Sequence, residues 1–154
     1  MKFLCDFLAE STIIFPLESA DKWSAIEACI RTIPQIVSGT IPFDAALASI
    51  RAREEAEQPT MMEGGVAIPH GILPDPAPLM CALGVSPGGF PYNSAGTRAY
   101  VMFVLLGSVS TRRDYLGVLA QIARHFRGPV LKDKILGAAS RAEILSLIRQ
   151  AENV

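Results

Sequence analysis

Gly64-Gly65-Val66-Ala67-Ile68-Pro69-His70-Gly71 is the stretch from which the fold can be read. Val66, Ala67 and Ile68 form a short apolar run bounded by turn-forming residues, the pattern of a buried strand. Pro69 biases Ile68 toward an extended backbone and cannot donate to a sheet ladder. His70 is therefore expected at or just past the end of a strand, where the chain leaves a sheet, with Gly71 giving local backbone freedom. Strand ends of α/β sheets are common places for functional side chains.

Upstream, Thr12-Ile13-Ile14-Phe15 reads as a short strand closed by Pro16. Ser19 is expected to cap a helix through about Ile33, with Trp23, Ile26, Ile30 and Ile33 on one face. Thr40-Ile41-Pro42 reads as a cap followed by a first-turn proline, opening a helix through about Glu57 with Phe43, Ala46, Leu47 and Ile50 inward. Downstream, strands are predicted at Leu79–Val85 and Tyr100–Leu106. The Pro- and Gly-rich residues from Pro69 to Pro91 read as loops around strands. Ser110-Thr111 begins a helix carrying Tyr115, Leu116, Leu119, Ile122, Ala123 and Phe126 at three- and four-residue intervals, and Gly128 stops it. A short helix at about Val130–Leu136 follows. Ser140-Arg141-Ala142-Glu143 has the capping-box pattern and opens a last helix with Ile144, Leu145, Leu147 and Ile148 inward. Helices and strands alternate, which favours one α/β domain over residues 1–154, a mostly buried sheet covered by helices on both faces.

Composition agrees with one globular core. The chain has 154 residues, 50% hydrophobic and 19% charged, far from a disordered mixture. Fourteen basic and fifteen acidic residues leave a net charge of −1, which argues against a nucleic-acid binder working by bulk charge. Mean hydropathy is high at +0.32, yet the longest apolar run, Ala99 to Leu106, is far too short to span a bilayer. Asp6 and Glu10 interrupt the apolar start, so no signal peptide and no membrane insertion are expected. Cys5, Cys29 and Cys81 are odd in number and lack metal spacing; they read as reduced, mostly buried thiols of a cytoplasmic protein.

The chemistry centres on His70. A lone histidine is not a metal site, and no second ligand is spaced to help it. A neutral imidazole can accept a phosphoryl group and pass it on, provided that aimed N–H donors and a cation hold the dianion. Arg51 and Arg53, near the end of the preceding helix, are candidate cations; beside Glu54, Glu55 and Glu57 they also fit a solvated face. Gly64 and Gly65 could let backbone amides approach closely. Pro87-Gly88-Gly89 is too short for a nucleotide loop, and no G-x-S-x-G is present, so a hydrolase is disfavoured. His125, in Arg124-His125-Phe126-Arg127-Gly128, reads as a helix C-terminal cation or a surface histidine.

Arg53-Glu54, Thr60 and Gly65-Val66-Ala67-Ile68-Pro69-His70-Gly71 together resemble the signature of the fructose/mannitol-type enzyme IIA domains of the bacterial phosphoenolpyruvate:sugar phosphotransferase system, which include the nitrogen-regulatory enzyme IIA proteins. Tyr115-Leu116-Gly117-Val118-Leu119-Ala120-Gln121-Ile122-Ala123 is similar to that family's H-L-x-x-L-x-x-(I/V)-A segment. The resemblance covers essentially the whole chain. It implies a mixed sheet between helices, with His70 taking a phosphoryl group from the carrier HPr for an enzyme IIB domain or for a regulatory signal. It implies no metal and no organic cofactor. Arg53, or Arg51, would steady the phosphoryl group, helped by Gly65 and Gly71. Tyr115 stands where the family usually carries a second active-site histidine, and Gly107-Ser108 where it has a small residue and a proline. His125, ten residues further along, is about 15 Å away on the helix axis and cannot replace it. Tyr115 can donate to phosphate but carries no charge. Met61, Met62, Ile72, Leu73 and Pro74 could form an apolar docking rim; the methionines fit core filling equally well. The alternative is a regulatory binding module, weakly phosphorylated or not at all, controlling a kinase or transporter.

Overall fold

The structure, a computed structural model, describes residues 2–56 and 61–153; the expected roles of Glu57 and Thr60 fall outside them. Its centre is β6 (Arg98–Gly107), whose residues Val101 to Leu106 are all fully buried. Burying each such side chain contributes about 1.5–3 kcal/mol, so this run dictates the middle of the sheet. Strand side chains alternate between faces. Val101, Phe103 and Leu105 enter one apolar layer, and Met102, Val104 and Leu106 enter the other.

Around β6 lie β1 (Ile13–Ile14), β2 (Met61–Met62), β3 (Val66–Ala67), β4 (His70–Ile72) and β5 (Met80–Pro91), in the order β1-β5-β6-β3-β2, with β4 also paired to β6. The sheet is mixed. β5 runs antiparallel to β6, while β1 on β5 and β3 and β4 on β6 are parallel. The helices are α1 (Lys22–Ile30), α2 (Pro34–Val37), α3 (Phe43–Ala56), α4 (Arg112–His125), α5 (Pro129–Leu136) and α6 (Arg141–Glu152). α1 and α3 cover the Met102 face. α4, α5 and α6 cover the Phe103 face. The α/β reading and the sheet between helices hold.

Several boundaries differ, each for a local reason. Asp21, not Ser19, caps the first helix, its Oδ1 accepting from Ser24 N–H at 2.8 Å; an ionised acceptor suits the positive helix end. That backbone hydrogen bond holds the Asp21 carboxyl below the usual carboxylate range. The helix stops at Ile30, short of the expected Ile33, and Pro34 opens the separate turn α2. β5 does not stop at Val85. It continues through Pro87-Gly88-Gly89 to Pro91 with a register irregularity between Val85 and Phe90, so part of the expected loop region is bulged strand. Gly89 permits this: its φ is +72°, and a Cβ there would stand 2.8 Å from the Tyr100 ring. Ser110 and Thr111 fall in a 3-10 turn, Val109–Thr111, and α4 proper starts at Arg112. The capping box at α6 forms with a shift. Ser140 Oγ accepts from Glu143 N–H at 3.1 Å, but the Glu143 carboxylate reaches Ala139 N–H, one residue before the cap.

Candidate phosphoacceptor site

His70 is not past a strand end. Val66 faces Val101 and His70 faces Leu105, the same separation of 35 residues. β3 and β4 are therefore one parallel strand interrupted at Ile68-Pro69 without loss of register. Pro69 removes one donor, but its carbonyl still accepts from Leu105 N–H at 3.1 Å. The conserved register also fixes direction. Val66 and Ile68 belong to the Phe103 layer, so His70 points to the same face, toward α4. There the Tyr115 ring meets the imidazole edge-to-face, with centroids 5.8 Å apart.

The ring is held at both nitrogens. Nδ1 lies 2.6 Å from the Ile68 carbonyl oxygen, and Arg53 Nε donates to Nε2 at 3.1 Å. A carbonyl can only accept and a guanidinium N–H can only donate. Both contacts therefore select the neutral tautomer with its proton on Nδ1 and its lone pair on Nε2. His70 is 6% exposed.

Arg53 comes from α3, on the opposite face of the sheet. Gly71 makes that approach possible. It follows His70 and points to the α3 side, where a Cβ would stand 2.8 Å and 2.9 Å from backbone atoms of Ser49 and Ile50. Gly71 thus lets α3 press on β4 one turn before Arg53. Glu54, the next residue, is buried and accepts from Lys22 Nζ at 2.7 Å; Tyr92 Oη donates to its other oxygen at 3.4 Å. This buried pair ties the last turns of α3 to α1.

The structure sorts the predicted residues. Arg53 reaches His70, whereas Arg51 stacks on the Trp23 ring, 4.2 Å from its centroid. Tyr115 lies against His70 as expected. Gly65 does not. Its carbonyl accepts from Tyr100 N–H at 2.8 Å, five residues along β6 from the partner of His70, roughly 16 Å away at ~3.3 Å per residue. Its need is structural: φ is +82°, and a Cβ would stand 2.7 Å from the Tyr100 ring. Gly71 is at the site but acts by packing, not through an exposed amide. Met61 and Met62 pair with Ala67 and Val66 and each packs against a core layer, so they are filling, not rim. Leu73 is buried too. His125 is half-buried, and burial, with Arg124 beside it, pushes its pKa below the ordinary value; it is no helix-end cation at neutral pH.

A cavity of about 130 Å³ opens next to Arg53 and Tyr115, both of which touch His70; it is lined by them, by Ser108 and Arg112, and by apolar Ile72, Val109 and Leu116. Ser108 stands buried in its wall, its Oγ donating to the Ala77 carbonyl at 2.7 Å. Arg112 and Val109 were not singled out from the sequence, and Leu116, read there as an apolar position of the helix, is 51% exposed at the cavity instead. The available signal was an arginine in the first turn of a helix, where the macrodipole disfavours a cation.

A family model described as "Phosphoenolpyruvate-dependent sugar phosphotransferase system, EIIA 2" matches residues 6–151. The chain belongs to this family. Among relatives of the EIIA 2 domain, the fructose-specific EIIABC component of the phosphotransferase system of Bacillus subtilis is 22% identical over 148 residues, 96% of this chain and 23% of that protein. The chain spans about a quarter of the length of the curated relatives it matches. The crystal structure of nitrogen regulatory protein IIA-Ntr from Neisseria meningitidis superposes with a TM-score of 0.83 at 20% identity, covering 94% of this chain and 98% of that one. The mannitol enzyme IIA of Escherichia coli, solved in complex with phosphorylated enzyme IIB, gives 0.77 at 16% identity, covering 97% and 99%. At these identities the structural likeness shows the shared EIIA fold. Among the described residues no helix is long and apolar enough to cross a membrane.

Proposed function

We propose that this EIIA 2 protein is a cytoplasmic phosphohistidine carrier, with Nε2 of His70 as the phosphoacceptor. The observation that carries the reading is the pair of contacts on the ring: Ile68 carbonyl at Nδ1 and Arg53 at Nε2. Together they leave the lone pair on Nε2, the nitrogen that meets Arg53, a residue of the cavity wall. The donor is an HPr-type carrier whose own histidine bears the phosphoryl group. In the transfer the donor's P–N bond breaks, its electron pair returns to the donor ring, and a P–Nε2 bond forms on His70. The proton stays on Nδ1, hydrogen-bonded to the Ile68 carbonyl oxygen, which favours the positive charge that develops on the ring. Arg53 moves from Nε2 to a phosphoryl oxygen, supplying the charge stabilisation on which phosphoryl transfer depends. No metal or organic cofactor enters this step, because the phosphoryl group arrives already activated.

The mouth of the cavity suits protein docking. Ile72, Val109 and Leu116 are 41%, 71% and 51% exposed, three large apolar side chains around one polar centre. Such an apolar patch with cations inside it matches a transient protein interface. The onward acceptor would be an enzyme IIB domain, as in the mannitol complex.

The second reading is a regulatory module that controls a kinase or transporter. Tyr115 favours it, since it places an uncharged phenol beside His70. Incubation with phosphoenolpyruvate, enzyme I and HPr, followed by intact-mass spectrometry, separates the two. The carrier reading expects one acid-labile phosphoryl group on the wild type and none on His70→Ala. No phosphoryl group on folded wild type from its cognate HPr overturns it in favour of the binding module.

A further inference from the structure

We infer that Arg112 is a second phosphoryl-binding cation, holding the group from the α4 side while Arg53 holds it from the α3 side. This rests on the reading of His70 as phosphoacceptor. Arg112 lines the same cavity as Arg53 and Tyr115. Tyr115, one turn further along α4, packs on the imidazole. Residues three apart on a helix have Cβ atoms about 5–6 Å apart, so the long arginine arm starts beside the ring that His70 touches.

The electrostatics call for an anion. Arg112 is exposed and opens α4, where the helix dipole opposes a positive charge. Among the described residues no carboxylate pairs with it. The one acid of that turn, Asp114, lies 3.9 Å from Lys2 instead. A cation that its own helix disfavours, without an acidic partner, and lining a cavity with a second guanidinium, is placed to meet a ligand carrying two negative charges. The room is adequate. Three phosphoryl oxygens need about the space of three waters, on the order of 90 Å³ at ~30 Å³ each, against about 130 Å³. Guanidinium forks are also the geometry that phosphate oxygens accept best. Arg113, the next residue, does not line the cavity and serves as a charge-matched control.

The test is the equilibrium of the phosphoryl group between HPr and this protein, read by intact mass for wild type, Arg112→Ala, Arg112→Lys and Arg113→Ala. Phosphoramidate, a small chemical donor, loads each variant independently of HPr docking. A bound cation stabilises only the phosphorylated state. Arg112→Ala is therefore expected to move the equilibrium toward phospho-HPr by about tenfold, the effect of losing one charge-assisted hydrogen bond. Arg112→Lys should recover part of that, and Arg113→Ala should leave the equilibrium at the wild-type value. Equal equilibria for wild type and Arg112→Ala overturn the role of Arg112 while leaving His70 as the acceptor. Failure of the wild type to load from either donor overturns the His70 reading, and this one with it.

Discussion

His70 is fixed at both ring nitrogens, whereas His125, at the end of α4, has a buried Nε2 that meets no hydrogen-bonding partner. The first sits between two helices that approach from opposite faces of the sheet. The second sits against α5 and α6, in a groove with Val130, Leu131 and Leu147, where burial first and the Arg124 charge second push its pKa below the ordinary value. The same side chain is thus oriented at both nitrogens in one place, as the proposed phosphoacceptor requires, and packed with a buried, unpartnered Nε2 in the other. What separates them is the support of neighbouring residues: a carbonyl that fixes the tautomer at Nδ1 and a guanidinium that donates to Nε2.

Replacing groups around the two rings should expose this asymmetry. His70→Ala should abolish phosphoryl acceptance altogether, while His125→Ala leaves it intact, both read by intact mass. Arg53→Ala should lower the transfer rate from HPr by about 10²–10³-fold, the usual cost of removing one aimed charge donor; an unchanged rate would erase the contrast between supported and unsupported histidine. Lys22→Met removes the cation paired with the carboxylate of Glu54, whose side chain is only 1% exposed. Chemical denaturation should show a loss of about 3 kcal/mol, in the range for breaking a buried pair. Gly71→Ala forces a methyl group against the backbone of Ser49 and Ile50. It should cost about 1–3 kcal/mol and slow transfer as well, because α3 carries Arg53.

The smallest effect belongs to His125. Its folded pKa lies below the ordinary value, so between those two values the unfolded chain binds more protons than the folded one. Stability should then rise with pH through that window and fall as the pH drops below the ordinary histidine value. His125→Gln should flatten this slope in denaturation curves taken between about pH 5 and pH 8.

Much of this was legible in the sequence. Val66-Ala67-Ile68-Pro69-His70 announced a strand and singled out the candidate histidine, and the Tyr115 helix was visible from its apolar spacing. The resumption of the strand after Pro69 was not, because register depends on β6, thirty-five residues away. The choice between Arg51 and Arg53 was equally hidden. Two residues apart, they point to different sides of α3, and only the packing of Trp23 on one side and β4 on the other assigns them. Gly71 read as local freedom, but its requirement is the closeness of α3, a tertiary fact. Ser19 lost the cap to Asp21 through charge, which the sequence did contain.

The most direct test is the nitrogen that carries the phosphoryl group. Phosphorylated protein labelled with ¹⁵N on histidine, observed by ³¹P and long-range ¹H–¹⁵N NMR, assigns the P–N bond. The arrangement of Ile68, His70 and Arg53 predicts a bond to Nε2 of His70, with the proton retained on Nδ1. A bond to Nδ1, or a phosphoryl group on His125, would contradict it.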